Sequence, residues 1–355
     1  MNAGTSHRSA RTMLLGLVLV VLASASFGTS GAFAKALLLT GWTPAGVVTW
    51  RVGMASLLLV PVAAWAIRGR WHLLPRNAGA VTAFGLVAVA GCQFAYFNAV
   101  ETLSIAVALL LEYLGSVLVV GWMWARHGRR PSRVTLVGVA LSVLGLVLVL
   151  DVFSGVQVSW PGVVWGLLAA VGLATFYVSS SHDHEESLPP LALAGFGLGV
   201  GAVALVVASA TGLIDYGTAR ESVQIAGLTT AWWVPIAELA VVAATLAYAV
   251  GVMGTRLVGA TVASFVGLSE VLFAIAVAWL LLDELPGWIQ LGGGLLILAG
   301  VVAVRLGEET EEDATAGGDD GQDGGRPAYP QVGDGSAESG ESGRQADWPA
   351  PHPVA

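Results

Sequence analysis

The sequence predicts an all-α membrane protein: ten transmembrane helices arranged as two inverted five-helix repeats, followed by a disordered acidic C-terminal tail. Three observations carry this expectation. Ten apolar stretches of about twenty residues succeed one another between residues 13 and 305, and a hydrocarbon core about 30 Å thick takes roughly 20 helical residues to cross. Charged residues are 11% of the chain against 55% hydrophobic ones, with a mean hydropathy of +0.76, whereas soluble domains carry about 25% charged residues. A gapless shift of 155 residues lays 107–149 over 262–304, pairing Trp124 with Trp279, Pro131 with Pro286, Gly138 with Gly293 and Gly145 with Gly300.

The helices are placed in order at 13–36, 44–67, 79–100, 103–124, 132–151, 161–181, 190–211, 231–253, 257–282 and 287–305. Runs of this length without period-two alternation favour helices, and helices or closed barrels alone satisfy the backbone in lipid. The abundant glycines, 46 in all, suit close helix packing in a bilayer. Residues 1–12 form a short N-terminus. Ala23-Ser24-Ala25 resembles a signal-peptide cleavage site, but the apolar stretch runs on to Leu39, so the first helix is read as retained. The first repeat spans 13–151, the second 161–305, and the tail 306–355.

Arg8 and Arg11 precede helix 1. Arg68, Arg70 and Arg76 lie between helices 2 and 3, and Arg126, Arg129, Arg130 and Arg133 between helices 4 and 5. All fall on one side in this topology, and the positive-inside rule makes that side cytoplasmic, with both termini inside. Trp42, Trp65, Trp71, Trp160, Trp232, Trp233 and Trp288 sit near helix ends, as an interfacial aromatic belt requires. From Glu308 onward the tail holds 12 acidic residues and two Arg, so it alone accounts for the net charge of −8. It lacks the apolar surface to offset its ordering entropy and is expected to be disordered.

Five helices per repeat is an odd number, so the second repeat enters the membrane in the opposite sense. The loop charges agree: four Arg lie between helices 4 and 5, but Asp283 and Glu284 between helices 9 and 10. Inverted repeats recur in secondary transporters, which bind substrate near the midplane between halves. Lys35 at the end of helix 1, Trp50-Arg51 in helix 2, Glu112-Tyr113-Leu114-Gly115-Ser116 in helix 4, and Ala263 to Glu284 are family-like strings. On these the chain resembles the EamA-type ten-helix members of the drug/metabolite transporter superfamily over about 13–305. The resemblance implies a small-molecule transporter, often an exporter of amino acids or other metabolites. The chain departs from the family in placing Ser116 and Val271 where proline is frequent in helices 4 and 9, so no proline-driven helix deformation is expected.

Glu112 and Glu270 lie near the middle of helices 4 and 9. Ionisable groups at that depth are costly and are candidates for function, with a hydrogen-bonded structural carboxyl as the alternative. The repeat places Glu270 over Gly115 and Glu112 over Gly267, positions three apart that share a helix face. An inverted pair could aim both carboxylates at one cavity, where they would exchange protons or hold a substrate ammonium. Arg51, two turns inside helix 2, is a substrate-anion ligand, a gating partner or a structural ion. Lys35 has the same functional options, with snorkelling to the interface as the alternative. Gln93 and Tyr96 share a face of helix 3, and Tyr113, Tyr177 and Tyr248 are further cavity candidates. Glu238 is open between ion pairing and a wet vestibule, while Glu101 is expected to be solvated.

No catalytic constellation, metal set or cofactor motif is evident. Cys92 is the single cysteine, which excludes an intrachain disulfide. The 182–186 loop, His182 to Glu186, reads as solvated rather than metal-binding. Gly28 to Lys35 lacks the Gly-Lys-Ser/Thr ending of a phosphate loop. The sequence therefore predicts a non-enzymatic secondary transporter for a small polar metabolite, an amino acid being one candidate. Export would be coupled to protons, with the lipid bilayer and a small-molecule substrate as partners and no nucleic acid. The competing readings are a membrane enzyme acting on lipid or isoprenoid, and a sensory or scaffold protein using the tail.

Overall fold

The computed structural model describes residues 3–115, 117–118, 133–149, 159–181, 187–289, 291–300 and 302–303. Arg126, Arg129, Arg130, the 182–186 loop and the acidic tail lie outside the described residues. The described residues all belong to one unit, Met1–Glu312.

They are overwhelmingly helical: α1 (Ala3–Leu38), α2 (Pro44–Ala66), a short α3 (Leu73–Arg76), α4 (Ala78–Thr102), α5 (Ile105–Tyr113), α6 (Arg133–Val149), α7 (Trp160–Ser181), α8 (Pro190–Ala210), α9 (Trp233–Gly259), α10 (Ser269–Leu282) and α11 (Leu291–Gly300). A small antiparallel hairpin, β1 (Val223–Ile225) and β2 (Leu228–Thr230), precedes α9. Six helices, α1, α2, α4, α7, α8 and α9, are long and apolar enough to cross a membrane. Leu57, Val203, Leu272 and Leu295 turn outward with large exposed surfaces, which lipid and not water would cover.

Local chemistry sets the helix ends. α2 and α8 both begin on proline, whose fixed φ and missing N–H suit a first turn. The Thr43 hydroxyl caps α2 by accepting from Gly46 N at 3.2 Å, and the Ser104 hydroxyl caps α5 by accepting from Val107 N at 3.3 Å. Asp283, in the left-handed region at φ 55°, ends α10.

Two departures from the expected helices matter. The ninth was expected unbroken over 257–282. Instead α9 runs on to Gly259, whose φ of 82° breaks the helix, and a short helical segment follows before a turn at Leu268. The fourth is likewise interrupted by a turn at Leu114, one residue beyond the shifted equivalent of Leu268. These breaks need no proline. Leu114 N bonds Leu111 O, and Val271 N bonds Leu268 O, both three residues back, which tightens the turn as a 3₁₀ step does.

The repeat is visible in the backbone as well. Phe84–Gly91 in α4 and Val241–Leu246 in α9 are π-helical, and the shift of 155 carries 84–91 onto 239–246. α6 and α11 cross at repeat-related glycines. A Cβ on Gly145 would come within 2.6 Å of Gly293 O, and one on Gly300 within 2.5 Å of Gly138 O. Each glycine thus meets the shifted equivalent of the other's partner, which is the reciprocal contact that two-fold symmetry demands. Gly145→Leu is expected to separate these helices and cost about 1–3 kcal/mol. Thermal unfolding of the detergent-purified protein would register the loss, and an unchanged midpoint would show the crossing to be slack.

Candidate functional site

The site begins with a polar string inside an apolar helix. Gly28-Thr29-Ser30-Gly31 lies within α1, which packs along α9 and α10. Gly28 lets the α1 backbone approach α10: a Cβ there would fall 2.8 Å from Phe273 Cβ and 3.1 Å from Glu270 O. Gly31 does the same toward Tyr96, whose hydroxyl would sit 2.6 Å from an added Cβ. Ser30 is thereby held next to α2 and α4.

Arg51 of α2 is fully buried. Its Nη1 donates to Ser30 Oγ at 2.6 Å and to Gln93 Oε1 at 2.5 Å, and its Nη2 donates to Ala243 O at 2.5 Å. The guanidinium lies 5.3 Å from the Phe97 ring centre, a cation–π distance. Each repeat offers a carbonyl from its π-helical segment, where backbone bonds run i→i+5 rather than i→i+4. Ala243 O, in the π-helical part of α9, takes Arg51; Ala88 O, in that of α4, accepts from the Tyr248 hydroxyl at 3.2 Å. Ala88 and Ala243 are 155 residues apart, as are Gln93 and Tyr248, which bond each other at 3.4 Å. The two repeats therefore meet here through equivalent positions.

Glu112 is buried on α5, and its Oε1 accepts from the Cys92 thiol at 3.2 Å. Glu270 opens α10, and its Oε2 accepts from the Tyr113 hydroxyl at 3.1 Å. The single Tyr113 O–H is shared with Gly267 O at 2.5 Å, a carbonyl beside the Leu268 break. Arg51, Gln93, Tyr96, Glu112, Tyr248 and Glu270 all line one cavity of ≈ 50 Å³, room for a few waters. Phe27, Phe176 and Tyr177 complete its wall, with Phe27–Tyr248 and Phe176–Tyr177 ring centres 5.1 and 5.4 Å apart.

A single family description, the EamA-like transporter family, matches residues 14–151 and again 160–306. The chain belongs to the EamA-like transporter family. Its two matches make it a two-repeat, integral membrane transporter. It is 23% identical over 300 residues to an uncharacterised inner membrane transporter, YicL, of Salmonella typhimurium, covering 82% of this chain and 95% of that one. It is 25% identical over 292 residues to an uncharacterised transporter of Archaeoglobus fulgidus, covering 82% and 97%. A solved crystal structure at 17% identity superposes with a TM-score of 0.54 over 84% of this chain and 98% of its own, a likeness of fold.

In this EamA-like chain Lys35 stands apart from the cavity and does not snorkel alone. Its Nζ pairs with Glu284 Oε2 at 2.7 Å, each side chain 22% exposed, and donates to Leu103 O at 3.4 Å. Glu284 Oε1 accepts from Ile105 N at 2.8 Å. One ion pair thus ties the end of α1, the α4–α5 turn and the segment after α10. The same end of the bundle holds Ala226 N on Leu281 O at 2.9 Å and Thr43 N on Gly217 O at 3.1 Å. Trp42, expected in an interfacial belt, is instead 3% exposed and packs on Trp232 at 5.9 Å. Trp65, Trp160, Trp233 and Trp288 are exposed as a belt requires.

Glu238 accepts from the Thr29 hydroxyl at 2.5 Å, with Oε2 buried and unpartnered among the described residues. Glu101 is exposed. Sequence reasoning missed Ser30, Cys92, Phe27 and Phe176. The small polar string at 28–31 was the available signal for Ser30; the aromatic pair had none, since apolar rings in apolar helices carry no contrast.

Proposed function

We propose that this protein is a ten-helix secondary transporter, with the second repeat inverted relative to the first and both termini cytoplasmic. It exports a small polar metabolite by alternating access around the central cavity, and protons drive the cycle. The observation that carries this reading is that Glu112 and Glu270, one from each repeat, line the same cavity. Each is held by a neutral donor, Cys92 or Tyr113, and neither pairs with Arg51 within ion-pair distance. Such carboxyls can exchange a proton with the open side and re-form the same hydrogen bond. Coupling arises only if proton or substrate binds the two states unequally. The breaks at Leu114 and Leu268 each lie two residues from one of these carboxyls, so a hinge movement there would change their access directly.

In this topology the Lys35–Glu284 end faces outward, and the ion pair ties the helix ends together on that side. Release to the outside must separate Lys35 from Glu284. Glu284→Gln keeps an oxygen for Ile105 N but removes the ion pair. A partly exposed pair is worth up to about 1 kcal/mol, so outward release should change about two- to fivefold in reconstituted vesicles, and Lys35→Met should match it. Equal flux from both variants and the wild type would remove the pair from the cycle.

The function itself is tested by comparing extracellular metabolites from cells overexpressing the wild type or Glu112→Gln/Glu270→Gln at matched membrane abundance. A metabolite released by the wild type alone supports carboxyl-dependent export. Release by both retains export but removes the carboxyls from it, and no release above vector-only cells overturns the export reading.

A further inference from the structure

One buried hydroxyl joins the two helix breaks. Tyr113 immediately precedes the break at Leu114, and its O–H reaches Gly267 O at 2.5 Å. Gly267 in turn immediately precedes the break at Leu268. Val271 N, four residues beyond Gly267, donates to Leu268 O at 3.2 Å, so Tyr113 brings Gly267 O a donor from the other repeat. The approach requires the glycine, because a Cβ at Gly267 would strike the Tyr177 hydroxyl. Tyr113 Oη also lies 3.1 Å from Glu270 Oε2, two residues past the Leu268 break. Under the shift of 155, Tyr113 is the counterpart of Leu268 itself. The first repeat therefore carries a hydroxyl where the second carries an apolar side chain.

A tyrosine has one O–H to donate, and these two acceptors compete for it. A protonated Glu270 removes the competition: its carboxyl donates to Tyr113 Oη, and Tyr113 donates to Gly267 O, in one chain. An ionised Glu270 can only accept, and a hydrogen bond to a charged acceptor is about twice as strong as one to a neutral carbonyl. The Tyr113 O–H then turns to the carboxylate and leaves Gly267 O. The distances, shorter to Gly267 O than to Glu270, match the first arrangement.

We propose that Tyr113 is a positioning residue that converts loss of a proton from Glu270 into release of the two helix breaks from one another. This rests on the reading of Glu270 as a proton-exchanging carboxyl. Glu112, Arg51, Cys92, Tyr96, Tyr177 and Tyr248 face Glu270 around the cavity. Glu112 can trade the proton with it, so the pH of release belongs to the carboxyl pair. The direction is fixed by the hydrogen bonds: with the proton bound the breaks are joined, and with it lost they part.

Leu118 and Leu272 are exposed, each four residues past a break, and serve as label sites. Spin labels on Leu118→Cys and Leu272→Cys, in full-length protein carrying Cys92→Ser and held in lipid nanodiscs, would read the distance across the two breaks. Serine at 92 keeps a donor for Glu112. The distance distribution should be narrow in acidic buffer and should shift and broaden in alkaline buffer. Tyr113→Phe, which keeps the ring and removes the O–H, should hold the alkaline distribution at every pH. Glu270→Gln can donate an amide N–H to Tyr113 Oη, so it should hold the acidic one. A merely structural Tyr113 would lose stability on substitution but leave the pH response in place. A Tyr113→Phe protein with the wild-type pH response, or a wild type with none, overturns the proposal. The measurement needs no substrate, so it separates the two ideas. A pH response lost in Tyr113→Phe without any export by the wild type sinks the transport reading and keeps the role of Tyr113. Carboxyl-dependent export with a pH response that survives Tyr113→Phe does the reverse.

Discussion

Replacing both cavity carboxyls, Glu112→Gln/Glu270→Gln, should abolish proton-coupled flux while leaving the protein folded and membrane-inserted. Glutamine keeps the volume and one acceptor oxygen, so Cys92 and Tyr113 retain partners in place of those they have at 3.2 and 3.1 Å. It cannot bind and release a proton, and it cannot neutralise a cation. In reconstituted vesicles an imposed pH gradient should therefore drive flux in the wild type and none above the empty-vesicle level in the double variant. The single variants separate the roles. If one carboxyl carries the proton and the other the ligand, one variant should lose gradient-driven flux but keep exchange, and the other should lose both. Wild-type rates from the double variant would move the coupling elsewhere, with Glu238 the next group to test because its buried Oε2 has no partner among the described residues.

The second large effect is expected at Arg51, and it is one of stability. Arg51→Met removes a fully buried cation that ties α2 to Ser30 of α1, Gln93 of α4 and Ala243 O of α9. Three buried acceptors would lose their donor, each at about 1–3 kcal/mol. The variant should show a sharp fall in monodisperse yield and a thermal transition lowered by several degrees. Arg51→Lys keeps the charge, but one Nζ cannot span acceptors that need two Nη branches, so it should fall between the two. A stable, monodisperse Arg51→Met protein would mean that the helices hold together without this network, and Arg51 would have to be reconsidered as a ligand group.

What the sequence determined by itself was the medium and the periodicity. Long uncharged runs can cross only a bilayer, and a shift of 155 residues brings like against like; both are properties of composition and order, needing no packing. It also marked Glu112, Glu270, Gln93, Tyr96 and Tyr248, because a polar group stands out in an apolar helix, and all of them line one cavity. It did not determine what they touch. Arg51 was left open between ligand, gate and structural ion, and only the tertiary structure supplied its three neutral acceptors. One of these is a backbone carbonyl in a π-helical turn, a feature without a composition signature. Lys35 was open between snorkelling and pairing, and its partner Glu284 lies 249 residues away. The helix breaks at Leu114 and Leu268 were not expected, since leucine favours helix and no proline or glycine occupies either position. The physical reason is common to all of these: local sequence sets propensity and polarity. The partner of a buried charge and the site of a helix break depend on which backbone atoms another helix brings within reach.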